Sequence, residues 1–217
     1  MLQKLETLNK VIHAGVVAVI RGETKMTAYK AAQACINGGI KAIEVTFTAP
    51  HADEIIAELK EQYQADPEVV IGAGTVLDTA TARIAMIAGA EFIVSAAFNQ
   101  EVAKLCNLYA VPYSPGCMTP NEIQSALTYG ADLIKLFPGS VIGQQAITAI
   151  HGPFPQANLM ITGGVHLDNL KEWFEKGAVV LGAGSDLTGA AKRGDFASVT
   201  ARAKQYRAVI TQIKSQN

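Results

Sequence analysis

The sequence predicts an α/β protein folded as a single-domain (β/α)8 TIM barrel with a short N-terminal helix, and three observations predict it. Short runs rich in Val and Ile, bounded by turn residues, recur at fairly even spacing, as strands buried on both faces do. Helix-like stretches separate these runs, which is what parallel strands require of their connections. Eight such runs fit within 217 residues, and eight β/α units in that length suit a closed barrel better than an open doubly wound sheet.

Taken in order, a leading helix from Gln3 to His13 closes the barrel floor. The strands follow near Val16 to Ile20, Ala42 to Thr46, Val69 to Gly72, Phe92 to Ser95, Val111 to Pro115, Leu133 to Leu136, Leu159 to Thr162 and Val179 to Gly182. Between the first two, Thr27 to Asn37 reads as a helix that stops at Gly38-Gly39, and after the third, Thr79 to Ala88 stops at Gly89. Glycine ends a helix well because it accepts the left-handed conformation without a Cβ clash. Thr119 stands where it can cap a helix that opens with Pro120 and carries Glu122 in its first turn, as the helix dipole favours. No linker or low-complexity segment divides the chain, so residues 1–217 are expected to form one domain.

Composition narrows the function. With 49% hydrophobic and 17% charged residues the chain can bury a substantial core. A formal net charge of -1 and no long run of Lys or Arg leave nothing to attract nucleic acid or an anionic membrane, so the expected partners are small molecules. Cys35, Cys106 and Cys117 are odd in number and widely spaced, and read as reduced thiols of a cytoplasmic protein. The first residues are polar, without the basic-then-apolar order of a secretory signal, and no apolar run approaches the roughly 20 residues that span a bilayer.

In a barrel of this kind the chemistry sits at the C-terminal ends of the strands. Lys135 lies in the otherwise apolar Leu133-Ile134-Lys135-Leu136-Phe137. Burial disfavours the ammonium form of any lysine, so one at a barrel mouth can supply a neutral amine that attacks a carbonyl. A structural or phosphate-pairing lysine is the competing reading. Glu44, in Ile43-Glu44-Val45-Thr46, poses the same problem with opposite sign: it either answers a cation across the barrel or exchanges protons with a substrate. Thr162-Gly163-Gly164-Val165 follows the seventh strand and Gly182-Ala183-Gly184-Ser185 the eighth, where this fold often binds phosphate through backbone N–H groups. Gly72-Ala73-Gly74-Thr75 is not a dinucleotide fingerprint, because Leu77 replaces the third small residue; we assign it to substrate, with the Thr75 hydroxyl as a donor to a carboxylate. His13, His51, His151 and His166 show no metal-ligand spacing.

These residues resemble the 2-keto-3-deoxy-6-phosphogluconate (KDPG) and 4-hydroxy-2-oxoglutarate (KHG) aldolases. The resemblance rests on Val17-Ala18-Val19-Ile20-Arg21, Ile43 to Thr48, Gly72 to Val76, Gly89 to Ser95, Tyr113-Ser114-Pro115-Gly116, Ile134 to Pro138, Gly152-Pro153-Phe154-Pro155, Thr162 to Val165 and Gly182 to Ser185, in family order over nearly the whole chain. It implies a class I aldolase: a homotrimer of barrels, with no metal and no cofactor, cleaving a phosphorylated keto-deoxy acid to pyruvate and glyceraldehyde 3-phosphate. It further implies that Lys135 forms the Schiff base, that Glu44 relays protons, that Thr75 holds the pyruvyl carboxylate, and that Gly163, Gly164 and Ser185 cradle the phosphate. Thr48, Pro115, Phe137 and Gly184 join the implied substrate site.

Two departures stand out. Many members carry an arginine shortly after the catalytic Glu, where this chain reads Phe47-Thr48-Ala49-Pro50, and Arg21 at the end of the first strand is our candidate for the missing cation. Ser95-Ala96 also stands where the family often has Ser-Pro. The rival readings are a 2-keto-3-deoxy-6-phosphogalactonate aldolase, a barrel phosphosugar isomerase or epimerase, and a sugar-phosphate-binding regulator without turnover.

Overall fold

Runs such as Val-Val-Ala-Val-Ile cannot hide their apolar side chains on one face alone, so they become strands covered on both sides, and every residue of Val16–Ile20 is buried. The computed structural model describes residues 2–215. Its strands are β1 (Val16–Ile20), β2 (Ala42–Thr46), β3 (Val70–Gly74), β4 (Ile93–Val94), β5 (Tyr113–Ser114), β6 (Gly116–Cys117), β7 (Ile134–Leu136), β8 (Leu159–Thr162) and β9 (Ala178–Ala183). The helices are α1 (Gln3–Ala14), α2 (Lys25–Asn37), α3 (Ala52–Gln62), α4 (Thr79–Ile87), α5 (Gln100–Leu108), α6 (Pro120–Thr128), α7 (Gly139–Ile142), α8 (Gln145–His151), α9 (Leu170–Glu175), α10 (Ser185–Thr188) and α11 (Phe196–Lys214).

All neighbouring strands pair in parallel, in the order β5-β4-β3-β2-β1-β9-β8-β7-β6. The two ends of that order are one piece of chain, because only Pro115 separates β5 from β6. Proline has no N–H to give to a ladder, so the fifth stave breaks there. Its carbonyl still accepts the Lys135 N–H at 2.9 Å, which brings β7 alongside and closes the ring. The expected barrel of eight staves is therefore present, with the fifth in two short pieces that start later and run further than Val111 to Pro115. The third stave also extends past Gly72 to Gly74.

Alternation along the staves sorts side chains into two cores. Ala18, Ile20, Ile43, Val45, Ile71, Ile134, Leu136 and Ile161 point outward and pack beneath the helices. Val17, Ala42, Val70, Leu133, Met160 and Val180 point inward and meet Leu8, Val11 and Ala14 of α1, so the leading helix plugs the floor as expected. Glu44 lies two residues beyond Ala42, and Lys135 two beyond Leu133. The same parity thus points both inward, one layer above that plug.

Helix boundaries follow local chemistry. Thr119 and Glu122 form a reciprocal capping box on α6, and Pro120 sits in its first turn. Thr24 caps α2, which begins two residues ahead of the expected start. Cys35, Cys106 and Cys117 are unpaired and buried, and burial pushes each thiol up to about 12. Among the described residues no helix is long and apolar enough to cross a membrane.

Candidate active site

Glu44 is wholly buried and Lys135 is only 4% exposed, and Lys135 Nζ lies 3.8 Å from Glu44 Oε1. That separation is too long for a firm hydrogen bond, and neither Glu44 oxygen has a hydrogen-bond partner among the described residues. A buried carboxylate without a hydrogen bond is costly to fold even beside a cation, which makes this one a candidate for chemistry. Gly74 makes the arrangement possible, since a Cβ there would overlap the Glu44 carboxylate. The Phe137 ring covers the amine, 5.1 Å from Nζ to its centroid.

Above this pair two cavities open at the C-terminal rim. The smaller, about 100 Å³, is walled by Arg21, Phe137, Gly163, Gly164, Gly184 and Ser185, six of the residues singled out from sequence. Val19, Thr162, Val165, His166 and Gly182 complete the wall, and the buried Thr162 hydroxyl has no hydrogen-bond partner among the described residues. A Cβ at Gly182 would overlap that hydroxyl. Gly163 (φ 90°) and Gly164 (φ 73°) both adopt the left-handed conformation, so this turn depends on consecutive glycines. The larger cavity, about 430 Å³, shares Arg21 and Ser185 with the smaller and adds Thr48, Thr188 and Lys192. Arg21 therefore stands between the two. Thr46 orders this corner by donating to the Ile20 carbonyl at 2.9 Å while its oxygen lies 2.8 Å from that of Thr48.

Two expected site residues line neither cavity. Thr75 follows β3, half-buried and outside the walls of both cavities, with a φ of 56° that is strained for a β-branched residue. Pro115 is buried in the fifth stave and serves Lys135 through its backbone carbonyl. Lys135 and Glu44 themselves lie beneath the cavities without lining them. A third groove, about 580 Å³, lies beside α1 with Lys10, His13 and Arg207 in its wall, and the α1 plug separates it from the buried pair.

Sequence reasoning missed Asp186, next to Ser185. Its carboxylate accepts the Tyr206 hydroxyl at 2.6 Å, two hydrogen bonds from Arg202 Nη2 at 2.9 Å, and the Leu167 N–H at 3.3 Å. Burial works against its charge, but the hydrogen bonds from Arg202 and Tyr206 prevail and hold the carboxyl below the usual range.

A buried amine facing an acid that has no hydrogen bond among the described residues, under a glycine-rich rim with a guanidinium, can condense with a ketone, move a proton and hold an anion. Comparison with known proteins agrees with that chemistry. The family model described as KDPG and KHG aldolase matches residues 8–202. A 2-dehydro-3-deoxy-phosphogluconate aldolase of Treponema pallidum (strain Nichols) is 36% identical over 208 residues, 94% of this chain and 96% of that one. A 2-dehydro-3-deoxy-6-phosphogalactonate aldolase of Escherichia coli (strain K12) is 33% identical over 172 residues, 79% of this chain and 83% of that one. The crystal structure of a KDPG aldolase from Legionella pneumophila, with pyruvate captured at low pH as a covalent carbinolamine, superposes with a TM-score of 0.81 at 29% identity, covering 89% of this chain and 95% of that one.

Proposed function

Because the chain belongs to the KDPG and KHG aldolase family, we propose that it reversibly cleaves 2-keto-3-deoxy-6-phosphogluconate to pyruvate and glyceraldehyde 3-phosphate through a Schiff base on Lys135. It also cleaves 4-hydroxy-2-oxoglutarate to pyruvate and glyoxylate. The observation that carries this reading is the inward-facing Lys135–Glu44 pair, 3.8 Å apart, with no hydrogen-bond partner for the acid among the described residues.

The Lys135 amine adds to the C2 ketone and water leaves, forming a protonated imine. Glu44 takes the proton of the C4 hydroxyl, the C3–C4 bond breaks, and its electron pair flows into the imine to give an enamine while the aldehyde departs. Glu44 returns its proton to C3, and water then releases pyruvate and the free amine. The iminium is the electron sink for this sequence. Phe137 excludes water over the nitrogen, Arg21 and Thr75 hold the keto-acid carboxylate, Thr48 and Pro115 shape its surroundings, and Gly163, Gly164, Gly184 and Ser185 cradle the distal phosphate.

Pyruvate release, followed through lactate dehydrogenase, tests the reading on three acids: the phosphogluconate substrate, its galactonate epimer and 4-hydroxy-2-oxoglutarate. The gluconate acid is expected to have the highest kcat/KM. A preference for the galactonate epimer, which the 33% identical relative favours, would replace the substrate while keeping the mechanism. If none of the three yields pyruvate, the proposal fails. In the same assay Arg21→Lys is expected to raise KM about 10-fold, the cost of losing a bidentate guanidinium–carboxylate contact. An unchanged KM would remove Arg21 from the substrate site.

Assembly as a homotrimer belongs to the same proposal. It is supported by Ile84 and Ile87 on α4 and Leu108 and Tyr109 at the end of α5, apolar side chains left exposed on helices that pack together. Sedimentation equilibrium is expected to return about three times the mass of the 22.9 kDa chain. A monomer mass at micromolar concentration would refute the trimer.

A further inference from the structure

The Asp186 network raises an electrostatic question that the phosphate cradle does not answer. A carboxylate directly after Ser185 places negative charge at the rim of a cavity read as an anion site, where by charge alone it opposes the ligand. Its bonding shows why it is tolerated. Arg202 gives Asp186 its Nε at 3.3 Å and its Nη2 at 2.9 Å, and the fully buried Tyr206 gives its hydroxyl, so the charge is answered from α11. The same carboxylate takes the Leu167 N–H from the β8 loop, and the neighbouring His166 Nδ1 lies 3.8 Å away.

Three pieces of chain therefore meet on one side chain: the turn after β8, the short helix after β9, and α11. The first two both line the glycine cavity, one through Gly163-Gly164 and the other through Gly184-Ser185. Further bonds brace each wall internally. Asn169 Nδ2 donates to the Gly164 carbonyl at 2.8 Å, and the Thr188 hydroxyl donates to the Gly184 carbonyl at 3.1 Å. Among the described residues, the Leu167–Asp186 bond is the hydrogen bond linking the Gly164–Asn169 turn to α10.

We infer that Asp186 is a positioning residue for the phosphoryl group of the substrate: its charge balanced by Arg202 and its oxygen held by the Tyr206 hydroxyl, it sets the distance between the two glycine turns whose N–H groups hold the phosphate. The inference rests on the phosphate-cradle reading given above. It makes a prediction opposite in sign to simple electrostatics. Removing the negative charge should tighten an anion site by Coulomb's law, whereas loosening the turns should weaken it.

Kinetics of Asp186→Asn decide between the two, with the phosphorylated six-carbon keto acid and with 4-hydroxy-2-oxoglutarate, which has no phosphate. KM for the phosphorylated acid is expected to rise about 10-fold, the loss of a charge-assisted hydrogen bond, with kcat within about 2-fold and KM for 4-hydroxy-2-oxoglutarate unchanged. Inhibition by inorganic phosphate is expected to weaken in parallel. Tyr206→Phe, which keeps the buried ring and removes one hydrogen bond, is expected to show the same pattern at about 3-fold and covers the case in which Asp186→Asn does not fold. A KM for the phosphorylated acid that falls or stays level overturns the inference, as does an equal rise for both substrates. A wild-type enzyme that gains nothing from the phosphoryl group overturns the cradle itself, a failure seen before any variant is made.

Discussion

Replacing Lys135 by arginine is expected to lower kcat by about five orders of magnitude while the protein stays folded. Arginine keeps a cation opposite Glu44, so the buried charge is still answered, but a guanidinium does not condense with a ketone to an imine. The substitution therefore separates the two readings of this lysine that the sequence leaves open. A structural ion pair survives it and a Schiff-base nucleophile does not. Wild-type protein reduced with borohydride in the presence of pyruvate should carry the adduct on the peptide containing Lys135, and the arginine variant should carry none. Retention of more than about 1% of activity, or an adduct on another residue, would end the mechanism proposed for this site.

Glu44→Gln is expected to lower kcat by about 10²- to 10⁴-fold, the usual worth of a positioned acid–base group. The amide matches the carboxylate in shape and fits the space beside Gly74. The two substitutions differ in what they leave behind. In the proposed mechanism the Glu44 carboxylate carries the proton, and its loss leaves the amine intact, so borohydride should still trap pyruvate on Lys135. Exchange of the pyruvate methyl protons with deuterated water, by contrast, should slow as much as cleavage does. If exchange runs at the wild-type rate, another group moves the proton and Glu44 only balances charge.

The staves and the central pair are legible in the sequence for the same physical reason. β1, β2 and β8 match their expected limits because β-branched runs flanked by turn residues leave little freedom in where a buried strand starts and stops. Strict alternation then decides that Glu44 and Lys135 share the interior, since each sits two residues above an inward apolar neighbour. Pro115 is harder to read, because a proline inside an apolar run signals a break without saying that pairing resumes on the far side with a different partner strand. The role of Gly74 is harder still. Its lack of a side chain matters only because Glu44 lies on the adjacent strand, 30 positions earlier in the numbering, and glycine after a strand otherwise suggests a turn.

Asp186, Arg202 and Tyr206 leave no trace that sequence can show. Asp186 follows Ser185 in a short helix, and its partners lie 16 and 20 residues on, along a face of α11 whose orientation only packing decides. Thr162 is obscure for a related reason. Beside two glycines it reads as turn composition, and its significance appears only when the hydroxyl proves buried against Gly182. Thr75 stands out in the sequence for its hydroxyl, but nothing in a threonine announces a left-handed backbone.

The seal that α1 makes across the floor has its own consequence for traffic. Leu8, Val11 and Ala14 close one end of the barrel against Phe92 and Met160, so the buried amine is approached from the rim, where the two cavities open. Whatever enters must leave the way it came, and depth becomes sequence in time. Under the proposed chemistry the three-carbon piece stays tethered at the bottom while the aldehyde lies nearer the rim, so the outer fragment clears the passage before the tether is cut.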